Sequence, residues 1–123
     1  MSWFKGWFRR SSAKIPSAEL SDRHRGLLQT IEAIIEVLRD DDETHWATYM
    51  DEVRSLILQA DRRGVKKLLG AYGGMGSFND LVLGHRMVDG EAVVRDDMAA
   101  LNDRLDALRT SAYTQGKELA EDR

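Results

Sequence analysis

His85 stands between Gly84 and Arg86, and a histidine in such a loop is fit to take or give a proton near neutral pH. A general base needs a group to activate. No obvious nucleophile neighbours His85 in sequence, and one histidine does not make a triad. His45 follows Asp41, Asp42 and Glu43, an oxygen-rich run of the kind that hard cations take. The run lacks the Asp-x-Asp-x-Asp-Gly order and closing glutamate of an EF-hand loop, and no His-Glu-x-x-His pattern occurs. His24 falls on an apolar helical stripe, where packing is the ordinary role. The chain has no cysteine, which removes disulfides, thiolate metal sites and cysteine nucleophiles together. An enzyme acting through His85 and Asp80 would lack a nucleophile, a metal set and a cofactor loop. The expectation is therefore a binding protein, not an enzyme, with no catalytic residues, no metal and no cofactor.

The densest local signal is Gly70-Ala-Tyr-Gly-Gly-Met-Gly-Ser-Phe-Asn-Asp-Leu-Val-Leu83, where four of the ten glycines fall within seven positions. Helical periodicity stops there and resumes near Gly90. The run is not a phosphate-binding P-loop, because Met75-Gly76-Ser77 carries no lysine. It is not a dinucleotide fingerprint, because no strand precedes it and the third glycine is missing. Three readings remain open: an anion nest of backbone amides, a helix C-cap at Gly73 followed by a tight turn, or a loop shaped to contact a partner. In the last case Tyr72, Met75, Phe78, Asn79 and Asp80 are the contact residues. Methionine and aromatic side chains are favoured anchors at interfaces.

Helices must position this loop. Leu20, His24, Leu27, Ile31, Ile34 and Leu38 recur in steps of four and three, widened by Leu28 and Ile35. They predict an amphipathic helix from about Ser17 to Asp40, capped by Ser17. Asp40-Asp41-Asp42-Glu43-Thr44 is a break in which Asp41, Asp42 or Thr44 caps the next helix, and the acids suit its dipole. That second helix covers about Thr44 to Ala60 and buries Trp46, Tyr49, Met50, Val53, Leu56, Ile57 and Ala60. A short third helix, about Arg63 to Tyr72, turns Val65, Leu68, Leu69 and Tyr72 inward. Phe78, Leu81, Val82 and Leu83 return to the core in a conformation that so short an apolar run does not decide. Gly84 and Asp89-Gly90 read as breakers.

A long last helix follows, about Glu91 to Glu121, with Val94, Met98, Leu101, Leu105, Leu108, Ala112 and Leu119 on one stripe. Gly116 costs that helix about 1 kcal/mol against alanine and predicts a frayed end. The stripe resembles a coiled-coil seam, which packs within the chain or makes a homodimer. The expected fold is an all-α, compact bundle of four main helices, with the Gly-rich loop before the long C-terminal helix.

Residues 1–16 form a separate basic, aromatic arm and linker, and 17–123 a single helical domain. In the arm Trp3, Phe4, Trp7 and Phe8 fall on one side if it is helical, with Lys5, Gly6 and Arg9 on the other. The arm has two readings. It is an interfacial anchor, with peripheral membrane contact through residues 1–10, or it folds onto the helical body or a partner. Lys5, Arg9, Arg10 and Lys14 take four of the 18 bases, leaving 14 against 21 acids in the rest of the chain. So acidic a body argues against nucleic-acid phosphates and suits a basic protein partner, with Asp41, Asp42 and Glu43 as steering charges. No apolar run approaches ~20 residues, and no signal-peptide core or lipidation box is present. The expected location is cytoplasmic, with the inner membrane surface as the site of any arm contact.

The run Tyr72-Gly-Gly-Met-Gly-Ser-Phe-Asn-Asp-Leu-Val-Leu83 resembles the hallmark of a small bacterial domain family of unknown function, over about Thr44 to Gly90. In that family a short helix leads into a Gly-Gly-Met-Gly-Ser-Phe-Asn-Asp-Leu loop, and the resemblance implies no agreed activity. By size and character the chain is also similar to immunity proteins, which neutralise a toxin by binding it. That likeness implies an antitoxin-like protein that covers the active site of a toxin domain. The alternative is a membrane-surface adaptor or regulator held by the arm.

Overall fold

A computed structural model describes residues 20–121. Four helices carry the chain: α1 (Asp22–Asp40), α2 (Thr44–Leu58), α3 (Arg63–Gly70) and α4 (Met98–Glu121). α1 packs on both α2 and α4, and α3 bridges α2 to α4, so the four close a ring of contacts. The centre of that ring is apolar. Leu27, Ile31, Ile34 and Leu38 from α1 meet Met50, Val53 and Ile57 from α2, Leu68 from α3 and Leu105 from α4, all fully buried. Each such side chain contributes about 1.5–3 kcal/mol relative to exposure.

The helix starts follow side-chain chemistry more closely than the spacing alone indicates. Ser21 caps α1 by accepting from the His24 amide, and its hydroxyl also lies 2.7 Å from His24 Nδ1. His24 is thus half-buried and tied to the cap. Ser17 lies outside the described residues. The second cap is Glu43, not Asp41, Asp42 or Thr44: its carboxylate accepts from the Trp46 amide at 3.1 Å. Asp42 instead takes the left-handed turn conformation, φ 57°, that reverses the chain. α2 stops at Leu58, and Ala60, expected on the buried face, is an exposed turn residue with φ 54°. α3 ends at Gly70 with Ala71, rather than Gly73, as its C-cap.

The fold is mostly helical but not all-α. His85–Val88 (β1) and Glu91–Val94 (β2) form an antiparallel hairpin, with Val88 opposite Glu91 and His85 opposite Val94. Asp89 and Gly90 both have positive φ, 51° and 82°. That is the mirror-image two-residue turn whose twist matches paired strands, and Asp-Gly favours it. The last helix therefore begins at Met98, not Glu91, and Val94 leaves its expected helical stripe for an exposed strand.

The buried stripe of α4 is Leu101, Leu105, Arg109, Ala112 and Gly116. Leu108 is only half-buried, and Arg109 takes the inward position beside it. Gly116 is not a frayed end. A Cβ there would sit 3.1 Å from Leu68 Cδ2 and 3.2 Å from Leu69 Cδ2, so its bareness lets α4 approach α3. Gly64 plays the same part at the start of α3, where a Cβ would meet Ile57 Cγ1 at 2.8 Å and the Ile57 amide nitrogen at 2.9 Å.

Candidate functional site

The glycine run folds into a fastened turn. Gly74 and Gly76 take φ 108° and 78°, open to glycine and strained for other residues. The Ser77 hydroxyl accepts from the amides of Gly74 and Asn79, and the Asp80 carboxylate accepts from the Gly76 amide at 2.9 Å. These bonds spend three of the turn's amides on its own side chains. Phe78–Asp80 is a short 3-10 turn, after which the chain runs extended.

The turn is clamped onto α4 by Arg109, whose guanidinium is almost wholly buried. One nitrogen, Nη1, donates to the carbonyls of both Phe78 and Leu81 at 2.9 Å, while Nη2 meets the Asp106 carboxylate. Buried charge is tolerated only where it is paired and hydrogen-bonded in this way. Tyr72 closes the clamp: its hydroxyl donates to the Arg109 carbonyl at 2.7 Å. Burial pushes the Tyr72 phenol well above its usual range, an effect that the Arg109 charge offsets in part. Asn102, one turn from Met98, completes the seat. Its amide accepts from the Leu83 N–H and donates to the Leu83 carbonyl, satisfying both backbone groups.

The anticipated contact residues therefore separate. Met75, at the tip, is fully exposed, whereas Phe78 is fully buried. The Phe78 ring packs tilted on Trp46 at 5.2 Å and edge-on to Tyr72 at 5.9 Å. Phe78 fixes the turn instead of presenting a surface. Tyr72 is half-buried between Phe78 and Tyr113, while Asn79 and Asp80 are exposed. Val82 does not return to the core; it is 49% exposed, between half-buried Leu81 and buried Leu83.

The acidic junction between α1 and α2 is a mount for the hairpin. Arg95, just past β2, reaches the Asp40 carboxylate at 3.0 Å, the Asp40 carbonyl at 3.1 Å and the Asp41 carboxylate at 3.4 Å. It also forms a two-bond pair with Asp97 at 2.8 and 2.9 Å. The Arg95 guanidinium holds the Asp97 carboxyl below the usual carboxylate range. Asp41 additionally accepts from the Gly84 amide, and its side chain is only 10% exposed. Asp42 pairs with Arg86 of β1 at 3.6 Å, and Glu43 is the α2 cap. All three anticipated steering acids are thus engaged, while Asp89, Glu91, Asp96 and Asp103 have no ion pair among the described residues.

His45 is exposed and stacks edge-on to Trp46, and His85 is exposed at the start of β1. Among the described residues no group of three His, Asp or Glu could hold a metal ion. Also among them, no helix is long and apolar enough to cross a membrane. Trp3, Phe4, Trp7 and Phe8 lie outside the described residues.

Both strands of the hairpin are exposed throughout, with Met87 68% and Val94 57% exposed. Directly opposed residues share a face of a two-stranded sheet, so His85, Met87, Ala92 and Val94 form one face and Arg86, Val88, Glu91 and Val93 the other. Beside it, Val82, Val94, Arg95, Asp96, Ala99 and Asp103 are among the residues that line an open, shallow surface depression.

Arg95, Asn102 and Arg109 were the residues missing from the sequence-level site. The Asp-Gly pair between Val88 and Glu91 signals the hairpin, and Arg109, four residues after Leu105 and three before Ala112, lies on the apolar stripe itself.

Residues 39–89 match the family described as Domain of unknown function (DUF6966). The likeness to a small family of unknown function rests on that span, which runs from the acidic junction through the glycine turn into the hairpin. Arg95, Asn102 and Arg109, which hold those parts in place, lie beyond it. No curated protein and no solved structure matches the chain.

Proposed function

We propose that this chain is a stoichiometric protein-binding module of the immunity type, which neutralises a basic toxin domain by covering its active site. The observation that carries the reading is Met75: a fully exposed methionine at the tip of a turn whose other parts are fastened. Holding an apolar anchor in place beforehand lowers the ordering cost of association. Asn79 and Asp80 flank it as polar rim, and Tyr72 and Phe78 act through the rigidity they give the turn. The acidic body supplies attraction for a basic partner, which raises the rate of encounter more than the final affinity. Paired with Arg86 and Arg95, Asp41 and Asp42 contribute less to that field than Asp89, Glu91, Asp96 and Asp103 do.

The test begins with the full chain, tagged at its C-terminus, as bait in its native host. A captured domain should lose its activity on titration with the purified chain, reaching completion at one-to-one. Met75→Asp should weaken that binding on the order of tenfold or more and leave thermal unfolding unchanged, since the side chain touches nothing. The reading fails if the captured domain stays active at saturation, or if a folded Met75→Asp protein binds as the parent does.

A further inference from the structure

The hairpin has no cover on either face. Every residue of β1 and β2 is exposed, Met87 to 68%. A bare two-stranded ribbon is marginal in water, and further strands are one remedy. The ladder fixes which backbone groups are free to recruit them. The Arg95 N–H donates to the Gly84 carbonyl at 2.7 Å, and bonded pairs alternate with unbonded ones along an antiparallel ribbon. Arg86 with Val93, and Val88 with Glu91, therefore make the inner hydrogen bonds. His85 and Met87 on β1, and Ala92 and Val94 on β2, turn their N–H and C=O groups outward. None of these groups finds a partner among the described residues. The Asp89 N–H lies trans to the inward Val88 carbonyl, so it too points out from the β1 edge.

Charge distinguishes the two edges. β1 runs from His85 and Arg86 at its root to Asp89 at the tip. A second β1 laid antiparallel sets root against tip, and base against acid. β2 runs from Glu91 toward Asp96 and Asp97, so the same operation there sets acid against acid. Only outward-pointing residues can bond across the β1 edge, which leaves few registers. A two-fold axis at Arg86 opposes two guanidinium groups, which is unfavourable. An axis at Val88 leaves little but turn residues to pair. An axis at Met87 places Met87 on its twin, Arg86 on Val88 and His85 on Asp89.

We propose that two copies of this chain associate through their β1 edges about the axis at Met87, joining both hairpins into one antiparallel sheet. Met87 bonds reciprocally with its twin, and the Asp89 N–H donates to the His85 carbonyl of the second copy. The Asp89 carboxylate then faces that copy's imidazole. Arg86 crosses Val88 of the second copy toward Glu91, because Val88 and Glu91 are direct partners. Its own pair with Asp42 is long, at 3.6 Å, and leaves the guanidinium open to a second acid. The contact is isologous and closes at two copies, with the acidic β2 edges left outside. So small an interface makes a weak dimer. The inference is separate from the toxin-binding reading, which rests on Met75 of a different turn.

The absence of cysteine allows a direct test of the register. Residues that exchange hydrogen bonds across an antiparallel pair have Cα atoms about 5.5 Å apart, within disulfide reach. Ala92 lies on the same face as Met87, but three strand spacings from its twin in the proposed sheet, roughly 14 Å. Met87→Cys should therefore form a disulfide dimer at least roughly tenfold faster than Ala92→Cys, each rate scaled to that thiol's reaction with oxidised glutathione. In sedimentation of the full chain, the average mass should rise with concentration up to about 1 mM. Met87→Lys sets two ammonium groups on the axis and should stay monomeric, with unfolding unchanged because the side chain is exposed. Asp89→Asn keeps the turn and should weaken association about threefold, while Met75→Asp should associate as the parent does. Three outcomes overturn the proposal. One is a parent that stays monomeric throughout. Another is association that persists in Met87→Lys or is lost in Met75→Asp, which gives it to another surface. The third is equal cross-linking of the two cysteine variants, or undiminished association of Asp89→Asn, either of which removes the register.

Discussion

Tyr72 and Arg109 hold one another across 37 residues of sequence: the tyrosine hydroxyl donates to the arginine carbonyl, and the arginine side chain holds the turn that follows the tyrosine. The Phe78 ring completes the arrangement, edge-on to Tyr72 and with the Arg109 guanidinium 6.0 Å from its centroid. The exposed tip at Met75 is therefore built on a polar clamp whose donors and acceptors lie between Tyr72 and Leu81 and on α4. Partly broken clamps of this kind cost more than their bonds are worth, because the remaining partner is left unsatisfied.

Arg109→Met should accordingly destabilise the fold by about 3 kcal/mol. The aliphatic stem still fills its place, but the Phe78 and Leu81 carbonyls lose their donor. Tyr72→Phe, which removes one bond and keeps the ring, should cost only about 1 kcal/mol. Urea unfolding of the two variants beside the parent measures both, and an Arg109→Met loss no larger than that of Tyr72→Phe would refute the clamp.

Alkaline pH reports on the same tyrosine. Burial raises the Tyr72 phenol above its ordinary value of 10.0, so the folded chain holds this proton more tightly than the unfolded chain does. The resulting stability is fully present below pH 10 and is lost as the pH rises through the raised folded-state value. Tyr72→Phe should flatten that alkaline decline in unfolding midpoint. An undiminished decline would assign it to other groups.

Glycines give a graded prediction. At Gly84, φ is 91° and a Cβ would lie 2.8 Å from Met98 Cγ, so Gly84→Ala meets both strain and overlap. At Gly74, φ is 108° but nothing lies within 4 Å, so Gly74→Ala meets strain alone. Gly84→Ala should cost about 2–3 kcal/mol and Gly74→Ala about 1 kcal/mol. Thermal unfolding of the pair checks the order, and a reversed order would mean that the turn, not the hairpin base, is the tighter site.

Much of this was legible in the residues, and what was not has a physical cause. The steps of four and three that place Leu27, Ile31, Ile34 and Leu38 on α1 are those seen in the core, because burial of one helix face imposes them. The junction at Asp40–Glu43 was legible as a break, but its use as a mount was not: Arg95 lies 54 residues from Asp41, and sequence spacing carries no record of pairs so far apart. The hairpin was hidden for a different reason. Both of its faces are exposed, so its valines show no inward and outward alternation, and only Asp89-Gly90 marks it. Arg109 was hidden because a charged residue on an apolar stripe is ordinarily read as flank. Its place inside depends on two carbonyls that the chain turns toward it only after Phe78.

Acid should loosen the hairpin before it unfolds the bundle. Hydrogen bonds from Arg95 lower the Asp97 carboxyl below its ordinary 3.8, and the same guanidinium ties β2 to Asp40 at the end of α1. A carboxylate whose folded-state value is depressed stabilises the fold above its unfolded value, and that contribution disappears as the pH falls through the lower folded one. The window therefore lies below the ordinary carboxylate range, where Asp97 loses the charge that faces Arg95. Core contacts among Ile31, Met50 and Leu105 are apolar and do not titrate. Chemical shifts of His85–Val94 should move in that window while those of Ile31, Val53 and Leu105 stay. Asp97→Asn should bring the acid-form hairpin shifts part of the way at neutral pH, and Arg95→Gln further, since it releases Asp40, Asp41 and Asp97 together. Simultaneous movement of hairpin and core in the parent would show that the hairpin is not separately mounted, and unchanged hairpin shifts in Arg95→Gln would show that the arginine is not what mounts it.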